Sequence, residues 1–270
     1  MASVQWELAE TAATAAGVEL EPLESLEDAD QILEVMTSTW GVTAGLPSEV
    51  IRALQESGNV PWGAFESGRL VGFVLDWAGF DDVGLHVHSH MLAVDREWQG
   101  KGAGFALKLA QRAVAIDRGI GLVRWTFDPM LTGNAYFNLA KLGAYADGFR
   151  RNFYGAMDDD LNRGERSDRL VIRWELDRDP EPGVVPDEGT VVLDREGAQD
   201  RPEPVIAGDP ADAGAGPLLI RIPEDYRTLA GADRELAQRW REAVAETLGA
   251  LLDHGKVVRG FTSSATYVLD

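Results

Sequence analysis

The sequence predicts an α/β protein built on a mixed sheet, and three observations carry that prediction. Strand-like and helix-like runs alternate from Val18 to Leu176. A glycine-rich stretch, Gln99 to Gly104, lies between an apolar strand and an apolar-striped helix. The composition, 45% hydrophobic and 26% charged over 270 residues, is that of a folded globular chain with room for one large domain, or for a domain of about 150 residues with an appendage.

Taken in order, Val18 to Leu23 reads as a strand. Leu26 to Trp40 reads as a helix, with Asp28 and Asp30 in its acid-favouring first turn and Ile32, Leu33 and Met36 at helical spacing. Pro47 to Glu56 repeats the helix signals. Val60 to Glu66 and Leu70 to Trp77 form two strands around a Ser67-Gly68-Arg69 hairpin connection, and Val83 to Val94 forms a third. Ala103 to Ile116 carries Phe105, Ala106, Leu109, Ala113 and Val114 on a helical stripe that Gly119 to Gly121 ends. The strand Leu122 to Phe127, a helix from Asn134 to Leu142, and an antiparallel pair, Phe149 to Tyr154 and Leu170 to Leu176, complete the order βααβββαβαββ.

Residues 177–216 hold half of the chain's twelve prolines and eleven acids against three arginines, so they read as an acidic linker or surface excursion with a single strand-like stretch, Thr190 to Leu193. Residues 217–270 supply a strand (Leu218 to Ile222), a long helix (Ala232 to Leu252) and one or two strands (Lys256 to Leu269), a C-terminal βαβ extension. Some 54 residues are few for a separate core, and Leu236, Trp240, Val244 and Leu248 form a stripe that must be covered. The expected organisation is a main domain over 1–176, a linker over 177–216 and an extension over 217–270 packed on the main domain.

With 25 basic and 45 acidic residues the formal charge is −20, which repels a phosphate backbone and argues against nucleic acid as a partner. No apolar run approaches the roughly 20 residues of a membrane span, and Met1 to Leu8 lacks the features of a signal peptide. A cytoplasmic protein without membrane partners is expected. The absence of cysteine excludes disulfides, thiolate metal sites and a cysteine nucleophile.

Glycines at the start of a helix let backbone N–H groups approach a pyrophosphate, with the helix dipole favouring the anion. The stretch Val94-Asp-Arg-Glu-Trp-Gln-Gly-Lys-Gly-Ala-Gly104 resembles the acyl-CoA loop of the GCN5-related N-acetyltransferase (GNAT) superfamily, and Asn134-Ala-Tyr-Phe-Asn-Leu-Ala-Lys-Leu-Gly143 is similar to that superfamily's asparagine-led helix ending in Leu-Gly. The resemblance runs over residues 18–176. It implies the GNAT fold, a mixed β-sheet flanked by helices that splays open between the strands ending at Val94 and Phe127. It also implies acetyl-CoA or another acyl-CoA as cosubstrate, no metal, and cofactor contacts from Leu92, Ala93 and Val94, from Gln99, Gly100, Lys101, Gly102, Ala103 and Gly104, and from Asn134 and Asn138. As the residues alone stand, Asn134 and Asn138 also fit a helix cap and a surface position.

Acyl transfer to an amine needs a proton acceptor, and histidine has the intrinsic pKa for it near neutral pH. His86, His88 and His90 alternate along one strand and so share a face. They could also hold zinc or fill a half-buried sheet surface. The stretch His88-Ser-His90-Met-Leu-Ala-Val94 is similar to one in arylalkylamine N-acetyltransferases, which implies a relay with His90 as base and His88 assisting. Many superfamily members carry an acid tyrosine where this chain has Leu139; Tyr136 and Tyr145 are the nearby alternatives. Asp128 could orient an amine or cap a loop, and Arg150, Arg151 and Arg169 could bind a carboxylate or pair with Asp158 to Asp160. Trp125-Thr-Phe-Asp-Pro129, Asn-Leu-Ala-Lys-Leu-Gly-Ala144, Tyr154-Gly155 and Ser167-Asp-Arg-Leu170 resemble a larger bacterial GNAT subgroup, which implies N-succinylation of amino acids. The expected function is transfer of an acetyl or succinyl group to a small-molecule amine or amino acid by direct attack, in a possible homodimer. The alternative is a degenerate domain that binds acyl-CoA as a sensor or scaffold.

Overall fold

A computed structural model describes residues 4–41, 46–82, 84–157, 164–177, 186, 188–207 and 216–270. It resolves into two compact units, the first built mainly from the chain up to Trp125 and the second from Thr126 onward.

In the first unit, helix α1 (Val4–Ala16) buries Ala9, Ala13 and Ala16, and this narrow stripe of small side chains packs on α4 (Ala103–Asp117). Alanines on the facing side of α4, Ala106, Ala110 and Ala113, allow the close approach. Alanine gives α1 only a weak hydrophobic period, so its helical stripe is faint in the sequence. Helix α2 (Leu26–Trp40) starts as expected. Ser25 Oγ accepts from the Asp28 N–H at 3.0 Å, and the Asp28 carboxylate accepts from the Ser25 N–H at 2.7 Å, a reciprocal cap. Helix α3 covers Ser48–Glu56. Strands β1 (Glu19–Pro22), β2 (Trp62–Glu66), β3 (Arg69–Asp81), β4 (Gly84–Val94) and β5 (Leu122–Phe127) lie side by side in chain order. The pairs are antiparallel up to β4, and β4 with β5 is parallel. One sheet face packs Phe73 and Leu75 against Ile32, Met36 and Ile51; the other packs Ala64, Val71 and Val74 against Ala103, Ala106 and Leu107.

Among the described residues, β4 and β5 pair only at Val87↔Val123 and His88↔Arg124. Beyond His88 the two strands separate. The mixed sheet is therefore splayed at the place where the sequence led us to expect it.

In the second unit the strand order is β7-β6-β11-β12-β10-β8-β9, with β6 Tyr145–Arg150, β7 Arg169–Glu175, β8 Thr190–Ala198, β9 Arg201–Ile206, β10 Leu218–Arg221, β11 Val258–Phe261 and β12 Thr266–Leu269. The C-terminal strands join the sheet through Val258↔Ala146. Two local expectations are corrected here. The stretch read as linker contains a full hairpin, β8–β9; Pro202 and Pro204 lie in β9, an edge strand where a missing N–H costs no ladder bond. The helix expected over Asn134 to Leu142 is a short α5 (Thr132–Ala135) that widens into a π-helical turn, Tyr136–Lys141. The long helix expected over Ala232 to Leu252 is α7 (Arg234–Asp253), unbroken; a short helix that was not expected, α6 (Tyr226–Ala232), precedes it, and the Asp233 carboxylate between them caps α7 by accepting from the Leu236 N–H at 3.0 Å. Leu236, Trp240, Val244 and Leu248 are all buried, as their stripe required, with α7 packed on β6, β8 and β9.

Candidate active site

The glycine loop is anchored at its entry. Asp95, directly after β4, is buried and accepts from Ser38 Oγ at 2.8 Å and from the Arg69 guanidinium at 2.5 Å, while its carbonyl accepts from the N–H groups of Trp98 and Gln99. A 3-10 turn, Arg96–Trp98, follows. Gly100 and Gly102 then take φ of 77° and 105°, left-handed values that a side chain would strain. A Cβ on Gly102 would meet Ala16 at 3.4 Å. Gly104 has no such strain, and a Cβ there would make ordinary contact with Val94 and Leu92. Helix α4 begins at Ala103 with no side-chain cap on Gly102, and Phe105 and Ala106 both donate to the Gly102 carbonyl. The N–H groups of Gly102, Ala103 and Gly104 precede the first helical acceptor and face outward at the positive end of the helix. These residues fit a pyrophosphate: backbone donors, glycines that permit close approach, and Lys101, whose ammonium lies 4.5 Å from the Trp98 ring centre. Gln99 turns its side chain to the Val94 carbonyl at 3.0 Å.

One strand segment away, the histidines divide. The register between β3 and β4 slips between Leu75↔Met91 and Asp76↔Ser89, leaving His90 as the extra residue of a bulge. His88 and His90 nevertheless lie against the same indole: the Trp77 ring centre is 5.0 Å from His88 and 4.7 Å from His90, and the two imidazoles are 6.0 Å apart. His86 is separate. It covers Gly79, where a Cβ would meet its Nε2 at 2.5 Å, and its Nδ1 lies 3.2 Å from the Gly84 carbonyl and 3.8 Å from Asp81. Asp81 also pairs with Arg124, the strand neighbour of His88. Burial, then His90, His86 and Arg124, push the His88 imidazole down to about 4; burial also lowers His90. Both rings are therefore neutral at pH 7 and able to accept a proton. Trp77, which shapes this pair, was not singled out from the sequence; its partnership depends on the β3–β4 register.

The remaining sequence candidates lie in the second unit. Asp128 is buried, accepts from the Met130 N–H at 2.9 Å, and is gripped by Arg241 at 2.8 and 3.2 Å, so its carboxylate serves the loop and α7. Arg169 is buried, donates to the Asp168 carbonyl at 2.8 Å and stands 3.9 Å from Asp128. Arg151 pairs with Glu242, and Arg150 donates to the Phe149 carbonyl. Asp158 to Asp160 lie outside the described residues. Asn134 is exposed within α5 rather than at its cap, Asn138 is buried in the π-helical turn, and Leu139 is fully buried. Tyr136 is exposed, and the Tyr145 ring lies 5.3 Å from the Arg259 guanidinium. Arg241 was not foreseen, since nothing in a helix sequence shows which carboxylate its outer residues meet.

Among the described residues no group of three His, Cys, Asp or Glu side chains is placed to hold a metal ion, and no helix is long and apolar enough to cross a membrane. Three comparisons bear on family. A search of curated proteins found no match. Solved structures similar to this chain include the ribosomal-protein-S18-alanine N-acetyltransferase of Escherichia coli, at 17% identity over 61% of this chain and 97% of that one with a TM-score of 0.49. They also include a putative acetyltransferase of Salmonella typhimurium with its cofactor acetyl-CoA, at 16% identity over 62% and 99% with a TM-score of 0.48. A third is a GNAT family acetyltransferase of Elizabethkingia anophelis with acetyl-CoA bound, at 14% identity over 59% and 98% with a TM-score of 0.45. The model of the acetyltransferase (GNAT) family matches residues 29–139, the stretch that carries β2 to β5, the glycine loop and α4. Over that stretch the chain is similar to the acetyltransferase (GNAT) family.

Proposed function

We propose that this protein transfers an acetyl or succinyl group from acyl-CoA to the amine of a small molecule or amino acid, by direct attack of the amine on the thioester. The observation that carries the reading is the conjunction, in one unit, of a left-handed glycine loop opening α4, strands β4 and β5 parting beyond His88, and a neutral imidazole pair on β4. Bound acyl-CoA supplies an activated carbonyl and a leaving thiolate. The loop Gln99 to Gly104 holds its pyrophosphate, chiefly through the N–H groups of Gly102, Ala103 and Gly104 at the start of α4, and the backbone of Leu92 to Val94, free of β5, offers hydrogen bonds to the pantetheine arm. A backbone N–H in this stretch stabilises the negative charge that develops on the carbonyl oxygen. His90, lowered by burial alone, accepts the proton of the acceptor ammonium, and His88 assists through its place on the same indole. Asn134 and Asn138 are the further candidates for amide contacts with CoA, and Asp128 and Arg169 for the acceptor.

The second reading, a domain that binds acyl-CoA without turnover, is favoured by the buried Leu139 at the place where relatives of this motif carry an acid tyrosine. One experiment separates them: thiol release from acetyl-CoA and succinyl-CoA with a panel of amines and amino acids, products weighed by mass spectrometry, for the wild type and His90→Ala. Turnover with at least one amine, falling roughly 10²-fold in the variant and recovering in part as pH rises, is expected. CoA binding with no thiol release from any amine overturns the transferase reading in favour of the sensor.

A further inference from the structure

On the sheet face opposite the histidines, four polar side chains are linked beneath the point where β4 leaves β5. Lys108 of α4, 2% exposed, donates from Nζ to Ser89 Oγ at 3.1 Å and to Gln111 Oε1 at 2.5 Å. Gln111 Nε2 in turn donates to Asp76 Oδ2 at 2.5 Å and to Ser89 Oγ at 3.1 Å. The ammonium lies 3.9 Å over the Trp125 ring centre, on β5. Every element that meets at the opening thus contributes: Asp76 from β3, Ser89 from β4, Trp125 from β5, Lys108 and Gln111 from α4.

The position of this network in the register gives it a role. Asp76↔Ser89 is the first pair on the hairpin side of the slip that makes His90 a bulge, so the network clamps the residue immediately before His90. An apolar side chain at 108 would satisfy the burial more cheaply, because enclosing an ammonium costs several kcal/mol before its partners offset it. What it would not do is fix Ser89 against β3 and α4 at one register, and a bulge left without such a fix can slide along its strand.

We propose that Lys108 is a positioning residue: through Ser89 and Gln111 it locks the β4 bulge that seats His90 against Trp77, and it stands between β4 and β5 where they diverge. The proposal rests on the transferase reading for its purpose, but its geometry can be tested apart from turnover. The probe is the ring-proton resonance of each histidine followed against pH in the full chain, in the wild type and Lys108→Met. Lys108 bonds to Ser89 and Gln111 on the face opposite the imidazoles, so a merely supportive side chain leaves their titration in place. If it locks the bulge, its loss releases His90 from the indole and from burial, and the His90 midpoint moves up toward the ordinary 6.5 while its ring-current displacement by Trp77 shrinks. In the transferase assay the same variant lowers kcat about tenfold or more with KM for acyl-CoA within about twofold, the signature of a misplaced base. Should Lys108→Met fail to fold, Ser89→Ala, which removes one hydroxyl, reads the same histidine shift. An unmoved His90 midpoint in a folded variant overturns the proposal whether or not an acceptor has been found; absence of turnover in the wild type with a shifted midpoint in the variant overturns only the transferase reading.

Discussion

Two buried polar clusters, one in each unit, hold their charges in opposite ways. Around Ser89, burial drives the side chains toward neutrality: Lys108 is brought down to about 7 against the pull of Asp76, and the Asp76 carboxyl is raised. Around Asp128, ions stay ions. Arg241 sits between Asp128, at 2.8 Å, and Glu165, at 2.5 Å, and although burial works against its charge, Asp128 outweighs it and raises the guanidinium's pKa. Tyr226 donates to Glu165 at 2.7 Å, and burial first, then that carboxylate, keeps its phenol protonated. The chemistry of the residues explains the division. A lysine or histidine can shed its proton when enclosed, whereas a guanidinium cannot and must be given carboxylates. The first cluster can therefore change protonation near neutral pH, and the second acts as a fixed clamp.

The largest effect is expected from breaking the clamp. Arg241→Met leaves Asp128 and Glu165 facing a buried apolar stem, and removal of one partner from a buried ion cluster costs about 3–5 kcal/mol. Denaturant midpoints should fall accordingly. The double variant Arg241→Met with Asp128→Asn should recover part of the loss, since the carboxylate charge left stranded by the first change is then gone. A double variant as unstable as the sum of its two single changes would mean that the pair is not coupled and that the clamp is a set of independent contacts.

Much of the first unit could be read from local chemistry, and less of the second. Ser25 and Asp28 announce α2 within one turn, and Gly100 and Gly102 mark the loop because their backbone angles exclude side chains. The stripe Leu236, Trp240, Val244 and Leu248 announces the buried face of α7, whereas the short α6 before it, ended at the Asp233 cap, carries no such stripe. The β9 strand was obscured by Pro202 and Pro204, which lower any strand score although an edge position accepts them. Contacts set by register or by distance along the chain were out of reach: Trp77 against His88 and His90 depends on a slip in the β3–β4 ladder, and Arg241 meets Asp128 across 113 residues.

The next effect is smaller and distinguishes the clusters by pH. The unfolded chain keeps the Lys108 proton up to about 10.5, and the folded protein releases it at about 7. Between those values the unfolded state binds more protons, so stability rises with pH across that window. His88 works in the same sense lower down: stability is lost as pH falls from 6.5 toward about 4, where the folded protein takes up the proton. The Arg241 guanidinium adds no slope because it does not titrate there, and Tyr226, kept protonated in the fold, works against stability only as pH nears 10, where the unfolded phenol ionises. Denaturant midpoints measured from pH 7 to 10 should climb in the wild type and flatten in Lys108→Met, a difference on the order of 2 kcal/mol for a buried ammonium that relaxes in part. A flat wild-type profile would mean that Lys108 stays charged and that the two clusters behave alike.

The smallest effect tests whether burial, and not the mere presence of an ion pair, sets the comparison. Arg239 on α7 forms a two-pronged pair with Glu203 on β9, its Nη2 reaching both carboxylate oxygens at 2.9 Å, and each side chain is half exposed. The geometry rivals that of Arg241 with Asp128, and the pair likewise joins α7 to another element of the same unit. Water differs: it solvates the separated ions here almost as well as they solvate each other, and ordering two long side chains costs entropy. Arg239→Ala should therefore move the denaturant midpoint far less than Arg241→Met does, and added salt should diminish even that. The measurement is a denaturant series at low and at high ionic strength, with Arg241→Met beside it, whose buried pair salt should barely touch. If Arg239→Ala cost as much as Arg241→Met and resisted salt, geometry alone would carry the stabilisation, and the contrast between the two clusters would have to rest on something other than burial.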